Sequence, residues 1–522
     1  MTMTVGDLYD RAVRHGGSGV AITHGARSVT YRQLGEQAER LVGALQALGI
    51  GPGSRVAFLM ANCAEYVACE YAVARCGATR VPLAVLLGDE DHVYMMNFAG
   101  CSALVYHYQL RSRVAAMAPG LETIEHFICV ADDPGDVPAG HLHLQSLAAD
   151  SDGRTRRVDV DPEDIAGIYF TGGTTGRPKG VMLSHRSWFH TYRMEMLGFD
   201  IGWHEVFVFT TPMTHAAGCL LLPVLLRQGR CVILERFDPE LLLATVAAER
   251  ATATLLVPTM IYALLDCPQR DAHDRSSLRN VLYGAATIAP DRLRQALDLF
   301  GPVFTQFFGQ TEAPMALVAL SREAHLSDDP EEQARILSAA GRATYGTRLR
   351  LLDDDGRDVP AGHTGELVAR APNVMSGYLD NPEATAEALR DGWLYTGDIA
   401  RLDADGLVTI VDRKKDMVIT GGFNVYPREI EDALFLHPAV QQAAVVGVPH
   451  PKWGEEVRAL VVLRAGTAVS EAELIEWVKA RKGSVMAPKK IEFANAIPVT
   501  NLGKLDKKVI RARFLESRDG HQ

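Results

Sequence analysis

No two of the eight cysteines stand in Cys-x-x-Cys spacing, and all eight fall between Cys63 and Cys267, so neither a zinc pattern nor a disulfide framework is read. They are taken as small apolar side chains in a reducing compartment. No apolar run is long enough to cross a bilayer: the longest, about Cys219 to Leu226 and Leu255 to Leu265, are short and interrupted. Positive charge is not in excess either. The formal net charge of -11 argues against nucleic acid or an anionic membrane surface as the main partner, since either demands a concentrated basic face, and leaves room for local basic patches only. Residues Met1 to Gly19 are mixed and polar rather than charged-then-apolar, so a cytoplasmic protein with no integral membrane segment is expected. Internal repeats and low-complexity tracts are absent from the 522 residues.

What is present fits a soluble globular protein of more than one domain. The chain exceeds what one core organises, and 47% hydrophobic with 22% charged residues suffices for a sizeable core. Short apolar strands alternate with helical periodicity from Gly6 onward: Val20 to Ile22 and Ser28 to Tyr31 as a hairpin, a helix to Leu48, Val56 to Leu59, a helix from Ala64, then Thr79 to Val81 and Ala103 to Val105. That alternation predicts a mostly parallel sheet in a layered α/β domain. Ala131 to Glu163, rich in Asp, Pro, Gly and Ser, reads as a surface connection. From Arg348 to Val411 the texture turns β-like with acidic turns. A charged cluster at Asp412 to Asp416 then precedes a small α/β unit whose helix begins at the capping box Ser470 to Glu473.

One stretch carries chemistry on its face. The apolar run Ile165 to Phe170 reads as a buried strand that leads into Thr171-Gly-Gly-Thr-Thr-Gly-Arg-Pro-Lys-Gly180. Its glycines let successive N–H groups turn toward one anion, its threonines add hydroxyl donors, and Lys179 adds a mobile point charge. No Gly-Lys pair is followed by Ser or Thr, so it is not a Walker A loop. Alone it suggests nucleotide chemistry without naming it. Two more predicted strands, Arg279 to Tyr283 and Phe304 to Phe308, run into small or polar residues, and open α/β sheets bind ligands at such ends. The three ends are expected to converge.

With Phe308-Gly-Gln-Thr-Glu312, Tyr395-Thr-Gly-Asp398, Asp412-Arg-Lys-Lys-Asp416 and Asn501-Leu-Gly-Lys504 following the loop in this order, the chain resembles the acyl-adenylate-forming superfamily from about residue 6 to 510. That superfamily holds acyl- and aryl-CoA synthetases, adenylation domains of nonribosomal peptide synthetases, and beetle luciferases. The resemblance implies an α/β fold: a large N-terminal domain of layered αβα sheets with a β-rich subdomain, over residues 1–412, and a small mobile α+β domain over 413–522. It also implies an ATP-dependent, AMP-forming acid–thiol ligase acting in two steps. ATP and a small-molecule carboxylic acid give an acyl-adenylate and pyrophosphate, and a thiol then displaces AMP.

The same resemblance implies residue roles. Thr171, Gly172, Gly173, Thr174, Thr175, Gly176 and Lys179 would hold the β- and γ-phosphates. Thr311 would touch the α-phosphate, and Glu312, with Thr174, would ligate Mg²⁺, a hard cation suited to oxygen ligands. Gly284, Ala285, Ala286, Phe307, Phe308 and Gly309 would border the adenine. Asp398, with Ile410 and Arg413 beside it, would take the ribose. Lys504 would meet the charge developing between carboxylate and α-phosphate, and Lys415 would be the pivot of the small domain. In the rotated state Gly421 and Gly422 would help form the pantetheine tunnel of coenzyme A. Outside the motifs, plainer readings exist: Glu312 as a charge at a helix start, Asp398 as a turn residue, His215 as a core histidine, Lys507 and Lys508 as solvated tail.

Three departures stand out. Gly172 replaces a common Ser, Phe308 a frequent Tyr, and Asn501-Leu502 the usual lead-in to Gly-Lys. Amino-acid-activating members carry an Asp in the region of Pro212 to Gly218, where this chain has His215, so an acid without an amine is expected, with His215 a gate beside the acyl pocket. Ala216, Ala217, Ala285, Ala286 and Gly309 leave room for a medium to bulky acid, fatty or polycyclic. The expected acceptor is coenzyme A or an acyl carrier protein, and the expected state a monomer or homodimer.

Overall fold

The computed structural model describes residues 3–151, 153–171, 177–499 and 505–519, the side chains of the last stretch as far as Leu515. The backbone gathers into two compact units: Met1–Arg348 with Ala369–Leu394, and Leu349–Val368 with Tyr395–Gln522. Packing thus assigns the β-like segment around residue 350 to the second unit, whereas the boundary expected at residue 412 would have left it with the first.

The first unit holds two large sheets. In the nine-stranded one, five strands in the order Phe304–Gln310, Asn280–Gly284, Ala253–Leu256, Val206–Phe209 and Arg230–Ile233 are parallel, and Ala313–Leu320 adds to them antiparallel. In the eight-stranded sheet, Thr79–Pro82, Arg55–Leu59, Ala103–His107 and His126–Val130 run parallel, and the antiparallel pair Ile165–Thr171 and Lys179–Ser184 lies at one side. Strand alternation explains how both faces are used. Val56 and Phe58 join an apolar layer that takes in side chains of both sheets, whereas Ala57 and Leu59 pack on the opposite face.

Helices fill that layer because their ends are specified. Thr4 accepts from the Asp7 amide and Asp7 answers the Thr4 amide, which starts Val5–Gly16; Thr30 and Gln33 repeat the device for Tyr31–Ala47. The apolar positions Leu34, Leu41 and Leu45 of the second helix are buried as its periodicity requires. The predicted connection from Ala131 to Glu163 is more ordered than its composition suggests. It contains the short strand Leu142–His143 and the helix Leu144–Asp150, capped by the His143 ring rather than by a Ser or Asp.

In the second unit, Val408–Arg413 pairs antiparallel with Trp393–Leu402. Beyond it, Val440–His450 and Gly454–Leu463 form a long hairpin. Helices Pro427–Phe435 and Glu471–Lys482 pack on one face of it, and Ile510 and Phe514 of the C-terminal helix on the other. Ser470 accepts from the Glu473 amide, as its sequence predicts. Lys507 departs from expectation. Its ammonium lies 3.9 Å from Asp412 and 3.7 Å from Glu431 and is largely buried, so it anchors the C-terminal helix rather than waving in solvent. Among the described residues no helix is long and apolar enough to cross a membrane.

Candidate active site

In the first unit, three strand ends carry the predicted residues. The stretch read as a phosphate loop joins two antiparallel strands, with Thr171 opposite Lys179 and Phe170 opposite Gly180, so both ends of the loop are fixed by sheet hydrogen bonds. Gly172, Gly173, Thr174, Thr175 and Gly176 lie outside the described residues. Gly180 admits no side chain cheaply: a Cβ there would come within 3.0 Å of Ile168 and 3.3 Å of Leu379.

Thr311 and Glu312 form the two-residue turn between Phe304–Gln310 and Ala313–Leu320, where Gln310 faces Ala313. The idea of Glu312 as a helix-start charge is therefore corrected. The apolar run from Ala313 to Leu320 prefers the open edge of the sheet to a helix, with Met315 at φ 60 absorbing the irregularity. Gly309 is required here, because a Cβ would meet the Met315 amide nitrogen at 2.6 Å. The Glu312 carbonyl accepts from Met375 N at 2.8 Å, and its Oε1 accepts from the Tyr378 hydroxyl at 2.7 Å.

Tyr378 is a residue that sequence reading missed. Its ring also lies beneath the Lys179 ammonium, 5.0 Å from ring centroid to Nζ, and its own strand pairs with Lys179–Ser184. Lys179 and Glu312, which come from different sheets, are thus held to opposite parts of one side chain.

Next to the Glu312 hairpin, strand Asn280–Gly284 runs parallel to Phe304–Gln310, with Gly284 beside Phe307. A Cβ on Gly284 would stand 2.4 Å from the Phe307 carbonyl oxygen, so the glycine permits this approach. Ala285, at φ 64, and Ala286 then turn outward and are exposed at the strand end. Phe307 does not join them. Strand alternation turns its ring into the core, 5.6 Å from the Phe199 ring, and leaves Phe308 as the half-buried aromatic on the other face.

His215 is exposed at the start of the short helix Ala216–Cys219, which excludes the core-histidine reading. Its loop is held by buried Asn62, a second residue without a sequence signal. The Asn62 amide donates to the carbonyls of Thr211 at 2.9 Å and Leu234 at 3.0 Å and accepts from Met213 N at 2.8 Å. Ala217 is buried and Ala216 partly so.

The second unit carries the remaining candidates. Asp398 sits in a strand opposite Arg413, not in a turn, with Arg413 Nε 2.8 Å from its Oδ1 and its carboxylate almost wholly buried. Ile410 is half-buried on the neighbouring strand, opposite Ala400. Lys415 lies in the single turn Lys414–Asp416, whose other lysine is tied to Glu366 at 3.0 Å and Asp354 at 3.1 Å. Gly421 and Gly422, at φ 58 and 84, make the two-residue turn of a hairpin in which Thr420 faces Phe423. Lys504 lies outside the described residues, between Val499 and Leu505, which bridge to each other.

Comparison with known proteins gives the arrangement a context. The model of the AMP-binding enzyme family matches residues 8–379, and that of the AMP-binding enzyme C-terminal domain matches 429–504. The chain is 38% identical to the medium/long-chain-fatty-acid–CoA ligase FadD8 of Mycobacterium tuberculosis over 94% of this chain and 87% of that protein. It is 37% identical to a feruloyl-CoA synthase of an Amycolatopsis species, over 97% and 98% respectively. Its fold matches the amide bond synthetase McbA of Marinactinospora thermotolerans with a TM-score of 0.90 and 33% identity, covering 98% of this chain and 99% of that one.

Proposed function

The chain belongs to the AMP-binding enzyme family and to its AMP-forming acid–thiol ligases, and from that premise we propose that it is an acyl-CoA synthetase for a medium to bulky carboxylic acid without an α-amine. The observation that carries the reading is the seating of Lys179 and Glu312 on one tyrosine. It sets a phosphate-seeking cation and a metal-seeking carboxylate at one place, and the strand leading to Glu312 pairs with the one that runs into the exposed Ala285 and Ala286.

The chemistry runs in two steps. An oxygen of the acid attacks the α-phosphorus of ATP, the bond to the bridging oxygen breaks, and pyrophosphate leaves. Lys179 and the Thr171–Gly180 loop receive the negative charge of the leaving group. Glu312 fits a Mg²⁺ ligand: one of its oxygens is taken by a neutral hydroxyl donor, so the carboxylate keeps its charge, and one carboxylate plus substrate phosphates suits this ion. Bound there, Mg²⁺ would neutralise phosphate charge. Asp398, oriented by Arg413, faces the ribose diol, and Lys504 meets the charge shared by carboxylate and α-phosphate. In the second step the sulfur of coenzyme A attacks the acyl carbon, the acyl–oxygen bond breaks, AMP leaves and the thiol proton passes to solvent. In this reading residues 413–522 turn about Lys415 between the steps, presenting Lys504 for the first and the Gly421–Gly422 hairpin for the second.

The test is a panel of alkanoic, aryl and polycyclic acids with ATP and Mg²⁺, each offered coenzyme A, an acyl carrier protein or an amine. AMP, pyrophosphate and the acyl product are followed together. The reading expects acid-dependent pyrophosphate release and a thioester with free coenzyme A. Thioester only on the carrier protein would make this a loading enzyme. The likeness to an amide bond synthetase gives the amine arm its weight, and amide without thioester would move the chain to that reaction. Nucleotide binding without pyrophosphate release would end the enzymatic reading.

A further inference from the structure

Resting on the assignment of Glu312 to Mg²⁺ and Lys179 to the leaving pyrophosphate, the geometry points to Tyr378 as the positioning residue that sets both groups for the first step. Three features of its surroundings make it more than a core aromatic. Its hydroxyl is spent on Glu312 Oε1 at 2.7 Å, and its ring face is turned to the Lys179 ammonium at 5.0 Å. Its backbone is pinned from both sides. Tyr378 N donates to Thr385 Oγ1 at 2.9 Å, Leu379 N to the Gly180 carbonyl at 2.7 Å, and Met375 N to the Glu312 carbonyl at 2.8 Å. The segment 375–379 is therefore stitched to both catalytic strand ends, and Tyr378 is the side chain that bridges them. Gly377, at φ 148 with Thr385 only 3.0 Å from where a Cβ would stand, lets the chain turn tightly enough to do this.

The choice of residue type follows from the job. A lysine or arginine on Glu312 would neutralise the carboxylate and compete with the metal; a phenol fixes one oxygen and leaves the negative charge and the second oxygen to the ion. The ring face holds the ammonium by its quadrupole without removing a proton donor from it.

The experiment measures ATP binding by calorimetry without acid, once with Mg²⁺ and once with EDTA, so that the tightening due to the metal is read apart from turnover. Tyr378→Phe keeps the ring and loses the hydroxyl. It is expected to lose roughly 10–100-fold of the metal-dependent tightening, as outer-shell partners of metal ligands do, with ATP affinity in EDTA unchanged. Tyr378→Leu should lose that and weaken ATP in EDTA by a further roughly 2–5-fold, the worth of one exposed cation–π contact. Glu312→Gln is the control. If it removes the tightening and Tyr378→Phe does not, the positioning role is overturned while the Glu312 assignment stands. If Glu312→Gln leaves the tightening intact, the Glu312 assignment falls and the role of Tyr378 with it. A tyrosine that merely fills the core would lower the melting temperature in both variants and leave the tightening as in the wild type, which also overturns the proposal.

Discussion

His325 and Glu195 are both buried in the first unit, and they oppose each other in how they couple stability to pH. The His325 Nε2 lies 2.8 Å from the Tyr283 hydroxyl and its Nδ1 2.7 Å from the Ser321 carbonyl, and burial brings the ring from 6.5 down to about 4. Below pH 6.5 the unfolded chain takes up this proton and the folded one does not. Stability is lost as pH falls from 6.5 to about 4, by about 3 kcal/mol at most. Burial raises Glu195 well above its ordinary 4.5, so the unfolded chain is the one that ionises, and stability is lost as pH rises above 4.5. Relative to wild type, His325→Gln should therefore gain as pH drops from 6.5, and Glu195→Gln should gain as pH climbs from 4.5. Melting temperatures of the three proteins between pH 4 and 8 check both signs, and parallel curves would contradict them.

At the scale of elements, the Gly421–Gly422 turn permits a clean perturbation. Both glycines have positive φ and, among the described residues, neither has an atom within 4 Å of where a Cβ would stand, so Gly422→Leu costs backbone strain of about 1–2 kcal/mol without a clash there. It should leave acid-dependent pyrophosphate release near wild type and slow thioester formation; stopped assays of pyrophosphate and thioester on the same sample decide. The same elements show what was legible. The parallel strands and capped helices follow from apolar runs and Thr, Ser and Asp signals whose physics is local. Ala313–Leu320 was hidden because a continuous apolar run suits helix or strand until a sheet edge is there to receive it. The motif points Phe307 to the adenine, yet strand alternation sends its ring into the core. Lys507, Asn62 and Tyr378 act through partners remote in sequence, and no local pattern announces such a contact.

For the molecule as a whole, the central proposal is a division of labour: residues 1–412 hold ATP and acid, and residues 413–522 supply Lys504 for adenylation and the Gly421–Gly422 hairpin for thiol transfer. The order of motifs makes that division readable, since Thr171 to Lys179 and Lys504 stand at opposite ends of the series of five motifs in the sequence itself. Lys504→Ala tests it most directly, assayed in two halves: pyrophosphate release from ATP and acid, and thioester formation from supplied acyl-adenylate and coenzyme A. The account predicts that the first half falls roughly 10²–10³-fold, as for the loss of one charge-stabilising contact, while the second stays near wild type. Equal loss in both halves would contradict it.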